Sequence, residues 1–297
     1  MANAPTLDFN AFVTRRKAER AEGAMENAHD YSYILDRQTR ATFESAKPIE
    51  LAVASAVRVF KERERGRLLG NAVKVSSRQF SRINTIATEC SQTLGITPPQ
   101  VYIVNSPHLN AGTFGTDEES FIVVHSALLD AYTDEELRFV IGHECGHIHN
   151  SHVVYLTTLH FLRLVAEAYL GLIVMPAILP LNAWSRRAEI TSDRAGMLCS
   201  GSDVISARAL TKLALGSRKL YEEFNLEAFL EQYEEGKEGI GKYMEAFASH
   251  PYLPKRVLAM RVFAESELYK KATGHGPGGL AMNEVDDRVR ALLKGDA

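Results

Sequence analysis

The run His143-Glu144-Cys145-Gly146-His147 constrains this chain more than any other feature, because its flanks dictate a helix. Thr133 can serve as N-cap and Glu136, three residues on, as its reciprocal partner, which together make a capping box. Leu137, Val140, Ile141 and Ile148 then supply an apolar face, so the helix must be partly buried. Residues four apart on a helix are separated by about 40° around its axis, so the two imidazoles project from one face. Imidazoles placed in this way can share one Zn²⁺ at ~2.0–2.1 Å each. Glu144 flanks the same face and can reach a water there without being a ligand.

H-E-x-x-H on a helix is the pattern of zinc-dependent peptidases, with the glutamate as general base. A catalytic zinc also requires a third protein ligand and an open position. His149 and His152 follow too soon and stand off the ligand face, so they read as helix-surface residues or as partners behind a ligand. Farther on, Glu189 and Asp193 share one face of a second helix within 185–196, and this segment follows an apolar one and must pack. A carboxylate there can bind zinc, while one a turn away can orient a ligand histidine through its other ring nitrogen. Cys145 reads as a small apolar filler of a buried helix, not as a nucleophile.

The remaining chain sets limits on the setting. It has 297 residues, 45% of them hydrophobic, which suffices for a sizeable core. A net charge of −3 gives no nucleic-acid footprint. The basic N-terminus lacks an apolar run behind it, and the three cysteines lack paired spacing; both point to a cytoplasmic, reducing address. Residues 1–70 read as an N-terminal helical arm, 71–270 as the catalytic domain, and 271–297 as a flexible glycine-rich joint with a short C-terminal helix. Phe80 to Leu94 has helical periodicity and stops at Gly95, and strands follow at 101–104 and 121–124. Between them, Asn110 to Gly115 is either a short edge strand or a loop. The apolar stretch 153–184 is broken by Glu167, Pro176 and Pro180, whereas a membrane span needs about 20 mostly apolar residues. A buried helical hairpin, over the site or at a dimer interface, fits it best, with membrane-surface contact as the alternative. Further helices are expected over 185–198, over 203–215 and after Pro254.

Several of these pieces occur in an order that resembles the gluzincin peptidases, the family that includes HtpX and the CAAX prenyl endopeptidases. They are Asn110-Ala111, Ile122-Val123-Val124, Asp134-Glu135-Glu136-Leu137 leading into the histidine motif, His152, the run from Arg186 to Gly196, and Ser249-His250-Pro251 with Arg256. The resemblance covers roughly 75–265. It implies that Glu189 is the third zinc ligand, that Asp193 supports a ligand from behind, and that His250 and Arg256 come near the metal or the reacting carbonyl. Many members carry Asn-Ala-Phe-Ala where this chain has Asn110-Ala111-Gly112-Thr113, and membrane members have clear spans that this chain lacks.

The expected fold is therefore α+β, mainly α: a zincin-like catalytic domain with a small antiparallel sheet beside the motif helix. The expected reaction is peptide-bond hydrolysis in a protein or peptide substrate, with one Zn²⁺ per chain, Glu144 as base and His250 or Arg256 at the oxyanion. Substrate would lie extended along Asn110, Ala111, Gly112 and Thr113. Two rivals share these features: a zinc-containing chaperone or scaffold that binds unfolded chains, and a zinc hydrolase for non-peptide amides.

Overall fold

Runs of β-branched and aromatic residues build the sheet. In the computed structural model, which describes residues 30–43, 49, 52–53, 55–57, 66, 70–116, 119–166, 171–216, 218–235 and 253–293, four strands form. They are β1 (Ala72–Lys74), β2 (Gln100–Val104), β3 (Ala111–Gly115) and β4 (Ser120–His125), in the order β1-β2-β4-β3. Phe121 to Val124 are buried without interruption, because β4 is covered on both faces. Ile122 and Val124 enter the main core, while Phe121 and Val123 meet Phe161 and Ala56 in a smaller cluster.

The expected sheet beside the motif helix is present, but it is mixed. β1 with β2 and β3 with β4 are antiparallel, whereas β2 and β4 run parallel. The reason is the route of the chain. After β2 it passes to the outer edge, forms β3 and turns back between the two, so β4 regains the direction of β2. The segment left open between strand and loop is thus a strand, and it lies at the sheet edge.

The helices are α1 (Ile34–Phe43), α2 (Ser81–Leu94), α3 (Ser126–Ala131), α4 (Asp134–His149), α5 (Val153–Val165), α6 (Gly171–Ser200) and α7 (Asp203–Leu215), followed by α8 (Arg218–Glu222), α9 (Leu226–Glu235), α10 (Leu253–Ala264), α11 (Glu267–Ala272) and α12 (Met282–Leu292). The capping box at α4 is formed in both directions, Thr133 to the Glu136 amide and Glu136 to the Thr133 amide. Leu137 and Ile141 are fully buried on its apolar face, each contributing about 1.5–3 kcal/mol.

Pro176 and Pro180 do not end a helix; both lie inside α6, which runs unbroken into the Glu189 segment. A helical proline costs about 3 kcal/mol or more. Ile178, Leu181 and Trp184, buried with Val154, Tyr155 and Leu159 of α5, offset that cost. The expected hairpin is therefore α5 against α6, and among the described residues no helix is long and apolar enough to cross a membrane. Tyr31 and Tyr33, just ahead of α1, and Val285 and Val289 of α12 belong to the same main core as α4. Glu167, residues 61–65 and residues 236–252 lie outside the described residues.

α4 packs against α6 through glycine. A Cβ on Gly142 would sit 2.5 Å from the Cys199 Cβ and 3.2 Å from the Gly196 Cα; one on Gly146 would sit 2.6 Å from the Ala195 Cβ. Gly142→Ala is accordingly expected to destabilise the fold by about 1–3 kcal/mol through overpacking. Chemical denaturation measures this, and an unchanged midpoint would contradict so close an approach.

Candidate metal centre

α4 and α6 bring three buried donors to one point. His143 and His147, one turn apart on α4, turn their Nε2 atoms toward each other at 3.1 Å. Glu189 on α6 reaches between them, its Oε2 at 3.6 Å from the His143 Nε2 and its Oε1 at 3.6 Å from the His147 Nε2. Among the described residues, these three side chains are the group whose ligand atoms could hold one metal ion.

The fit can be tested on these distances. Donors at ~2.0–2.1 Å around a tetrahedral zinc lie about 3.3 Å from one another, close to the separations found. The opposite ring nitrogens are already engaged. His143 Nδ1 is 3.0 Å from Asp193 Oδ1, while His147 Nδ1 is 3.0 Å from Ser192 Oγ and 3.1 Å from His152 Nδ1. A ring protonated at Nδ1 presents a bare lone pair at Nε2. Two such lone pairs facing one another across a carboxylate suit a shared cation.

Charge behind the centre is balanced by one residue. The Arg256 guanidinium on α10 donates through Nε to Asp193 Oδ2 at 2.8 Å and through Nη2 to Asp193 Oδ1 at 2.6 Å, and its Nη1 is 2.9 Å from Glu189 Oε2. Burial alone would raise the Asp193 carboxyl, but Arg256 and His143 hold it below the usual carboxylate range. Arg256 thus reaches the centre, yet its donors meet these two carboxylates. It holds both of them while also lining the cleft beside His143 and Glu144. His250, the other residue expected at the oxyanion, lies outside the described residues.

Glu144 faces a cleft with β3 along one wall. The cleft is lined by Asn110 to Phe114 and by Phe139, Val140, His143, Glu144 and His147, with Glu189 and Arg256. Glu144 Oε2 accepts the Thr113 hydroxyl at 2.6 Å, which fixes the carboxylate against the edge strand. In the ladder, the His125 amide bonds the Asn110 carbonyl and the Thr116 amide bonds the Glu119 carbonyl, so Asn110, Gly112, Phe114 and Thr116 point their backbone at the β4 side. Alternation then turns the N–H and C=O of Ala111 and Thr113 outward, along with those of Gly115, whose amide meets the Thr157 hydroxyl.

Sequence reasoning thus named His143, His147 and Glu189, and of its two readings for His152 the structure has the partner behind a ligand, but it missed the Thr113 hydroxyl as a partner for Glu144 and Ser192 behind His147. Ser192, next to Asp193, was within reach of the same helical argument. Cys145 is fully buried, and burial pushes its thiol well above its ordinary pKa, which removes it as a nucleophile.

The model of peptidase family M48 matches residues 77–263. A plastoglobule-localized metallopeptidase 48 of Arabidopsis thaliana chloroplasts is 36% identical over 168 residues, which is 55% of this chain and 49% of that protein. The chain thus spans about half the length of that relative. A protease HtpX homolog of Tropheryma whipplei is 25% identical, covering 65% of this chain and 76% of the relative. Another, from Moorella thermoacetica, is 26% identical over 64% of this chain and 74% of its own length.

Removing Arg256 should strand two buried carboxylates. Arg256→Ala is expected to destabilise the protein by roughly 3–5 kcal/mol, with Arg256→Lys recovering only part because it cannot pair with both partners at once. Denaturant titration of the two variants checks this; an Arg256→Ala midpoint equal to wild type would contradict it.

Proposed function

The chain belongs to peptidase family M48, and from that premise we propose that it is a zinc-dependent endopeptidase acting on extended segments of protein substrates. The observation that carries this reading is the convergence of His143, His147 and Glu189 beside a glutamate that faces an open strand edge. In this reading His143, His147 and Glu189 hold one Zn²⁺, and Asp193 fixes the His143 ring. Bound there, zinc would polarise the scissile carbonyl and lower the pKa of a coordinated water toward ~7.

The chain's own residues supply the rest. Glu144 accepts a proton from the attacking water and passes it to the leaving amine, with the Thr113 hydroxyl holding its carboxylate in place. Substrate aligns on β3 as an added strand, bonded by the outward N–H and C=O of Ala111 and Thr113, and Gly112 opposes it with no side chain. Such binding reads backbone rather than sequence. It suits unfolded or loosely folded segments, the state in which a peptide can lie extended.

The deciding experiment combines metal analysis with mass spectrometry of denatured protein substrates. Wild type should carry one zinc per chain and produce internal cleavages. Glu144→Gln should keep the zinc and lose roughly 10²–10⁴-fold in rate, the usual share of a general base. His143→Ala/His147→Ala should lose both zinc and cleavage; undiminished zinc in that variant would refute the ligand set. Zinc-loaded wild type that binds unfolded chains but never cuts them would favour the scaffold reading instead.

Ala111→Pro probes the edge. The Ala111 amide lies outside the ladder, so its loss should spare the sheet. Cleavage is expected to fall while zinc content and melting temperature stay unchanged. Full activity in this variant would place the substrate elsewhere.

A further inference from the structure

His147 is held from behind by a chain of groups that begins outside the matched family region. Asp36, on α1, is fully buried and accepts three hydrogen bonds, from Trp184 Nε1 at 2.8 Å, from the Thr191 hydroxyl at 2.6 Å and from His152 Nε2 at 3.0 Å. His152 in turn places its Nδ1 3.1 Å from His147 Nδ1. The matched family region begins only at residue 77.

With His147 Nε2 free to bind a metal, one assignment of protons along this chain is self-consistent. Donors reach both Asp36 oxygens, Trp184 at Oδ1 and Thr191 at Oδ2, the setting of a carboxylate. A carboxylate only accepts, so the proton between it and His152 sits on His152 Nε2. With its single proton on Nε2, His152 has a bare Nδ1, and the 3.1 Å gap to His147 Nδ1 holds one proton only. A bare Nδ1 facing His147 Nδ1 requires the proton to be on His147. His147 Nε2 is thereby left with its lone pair aimed at His143 and Glu189. Ser192, the other neighbour of His147 Nδ1, cannot make this choice, since a hydroxyl both donates and accepts.

We propose that Asp36 is a positioning residue of the metal centre, fixing through His152 the tautomer and the aim of the His147 ring. The inference rests on the reading of His147 as a metal ligand. It makes the N-terminal segment part of the site: Tyr31 and Tyr33 lock the same stretch onto α4 and α6, through Tyr31 to Asn150 and His149 and through the Tyr33 amide to Thr191.

The test is zinc affinity of the full-length chain, measured by competition with a chromophoric chelator. Asp36→Asn and His152→Ala should each bind zinc about 10–100-fold more weakly than wild type, the usual loss when support behind a ligand is removed. The double variant should bind no more weakly than His152→Ala alone, because Asp36 acts through His152. Tyr31→Phe loosens the same segment without touching the chain of protons, and should lower the melting temperature while leaving zinc affinity unchanged. Histidine ¹⁵N resonances of the zinc-loaded wild type supply a readout independent of any variant's folding: His147 protonated at Nδ1, His152 protonated at Nε2 only. Wild-type affinity in folded Asp36→Asn, additive losses in the double variant, or a His152 protonated at Nδ1 would each overturn the proposal while leaving the zinc site standing. A wild type that binds no zinc would overturn the site reading and this inference together.

Discussion

The contact between α4 and α6 sets the position of every donor at the centre, because His143 and His147 come from one helix and Glu189, Ser192 and Asp193 from the other. Side chains at a helix contact decide how far apart the axes stand. Here Gly142, Gly146, Ala195 and Gly196 hold that role, with glycine on both sides of the seam. A single methyl group between the helices would part the carboxylate from the two imidazoles. The glycine inside the histidine motif is therefore a requirement of packing that the chemistry inherits, not a loose turn beside it.

Charge is the second constraint. Glu189 and Asp193 are both almost wholly buried. Arg256 bridges them with three nitrogens, so its one positive charge offsets only one of the two carboxylates beside the imidazoles. That is a suitable balance for a divalent cation and an unfavourable one for an anion. The same logic operates one turn farther on, where Arg194 meets Asp286 at 2.8 Å and donates to the Tyr31 carbonyl. From Glu189 to Arg194 the helix is thus a strip of polar groups inside an apolar core, each matched by a group from another element.

What could be read from the sequence was what depends on local spacing. The capping box, the turn of helix between His143 and His147, the Gly95 stop and the strands around Val101 and Ile122 all declare themselves within a few residues. Glu189 and Asp193 were also legible, because a helical face presents residues four apart. Three things were not. The parallel pairing of β2 with β4 depends on where β3 goes, and no short window records that. The prolines in α6 read as breaks because local propensity says so, whereas burial of Ile178, Leu181 and Trp184 decided otherwise. Asp36 carries no spacing signal at all: its partners lie 116, 148 and 155 positions away.

Arg194 ties the earliest and the latest described segments to one helix, and this has a bearing on synthesis. Asp286 of α12 pairs with Arg194 and also accepts the Ile34 amide at 3.1 Å, so the earliest and latest described elements are clasped over the same turn of α6. A ribosome releases the histidines and Glu189 long before it releases Arg256 or Asp286. Until then Glu189, Asp193 and Arg194 have no counter-charges, and a buried seam of such residues is unfavourable. The cluster of His143, His147 and Glu189 therefore gains its counter-charge only when α10 packs against α6.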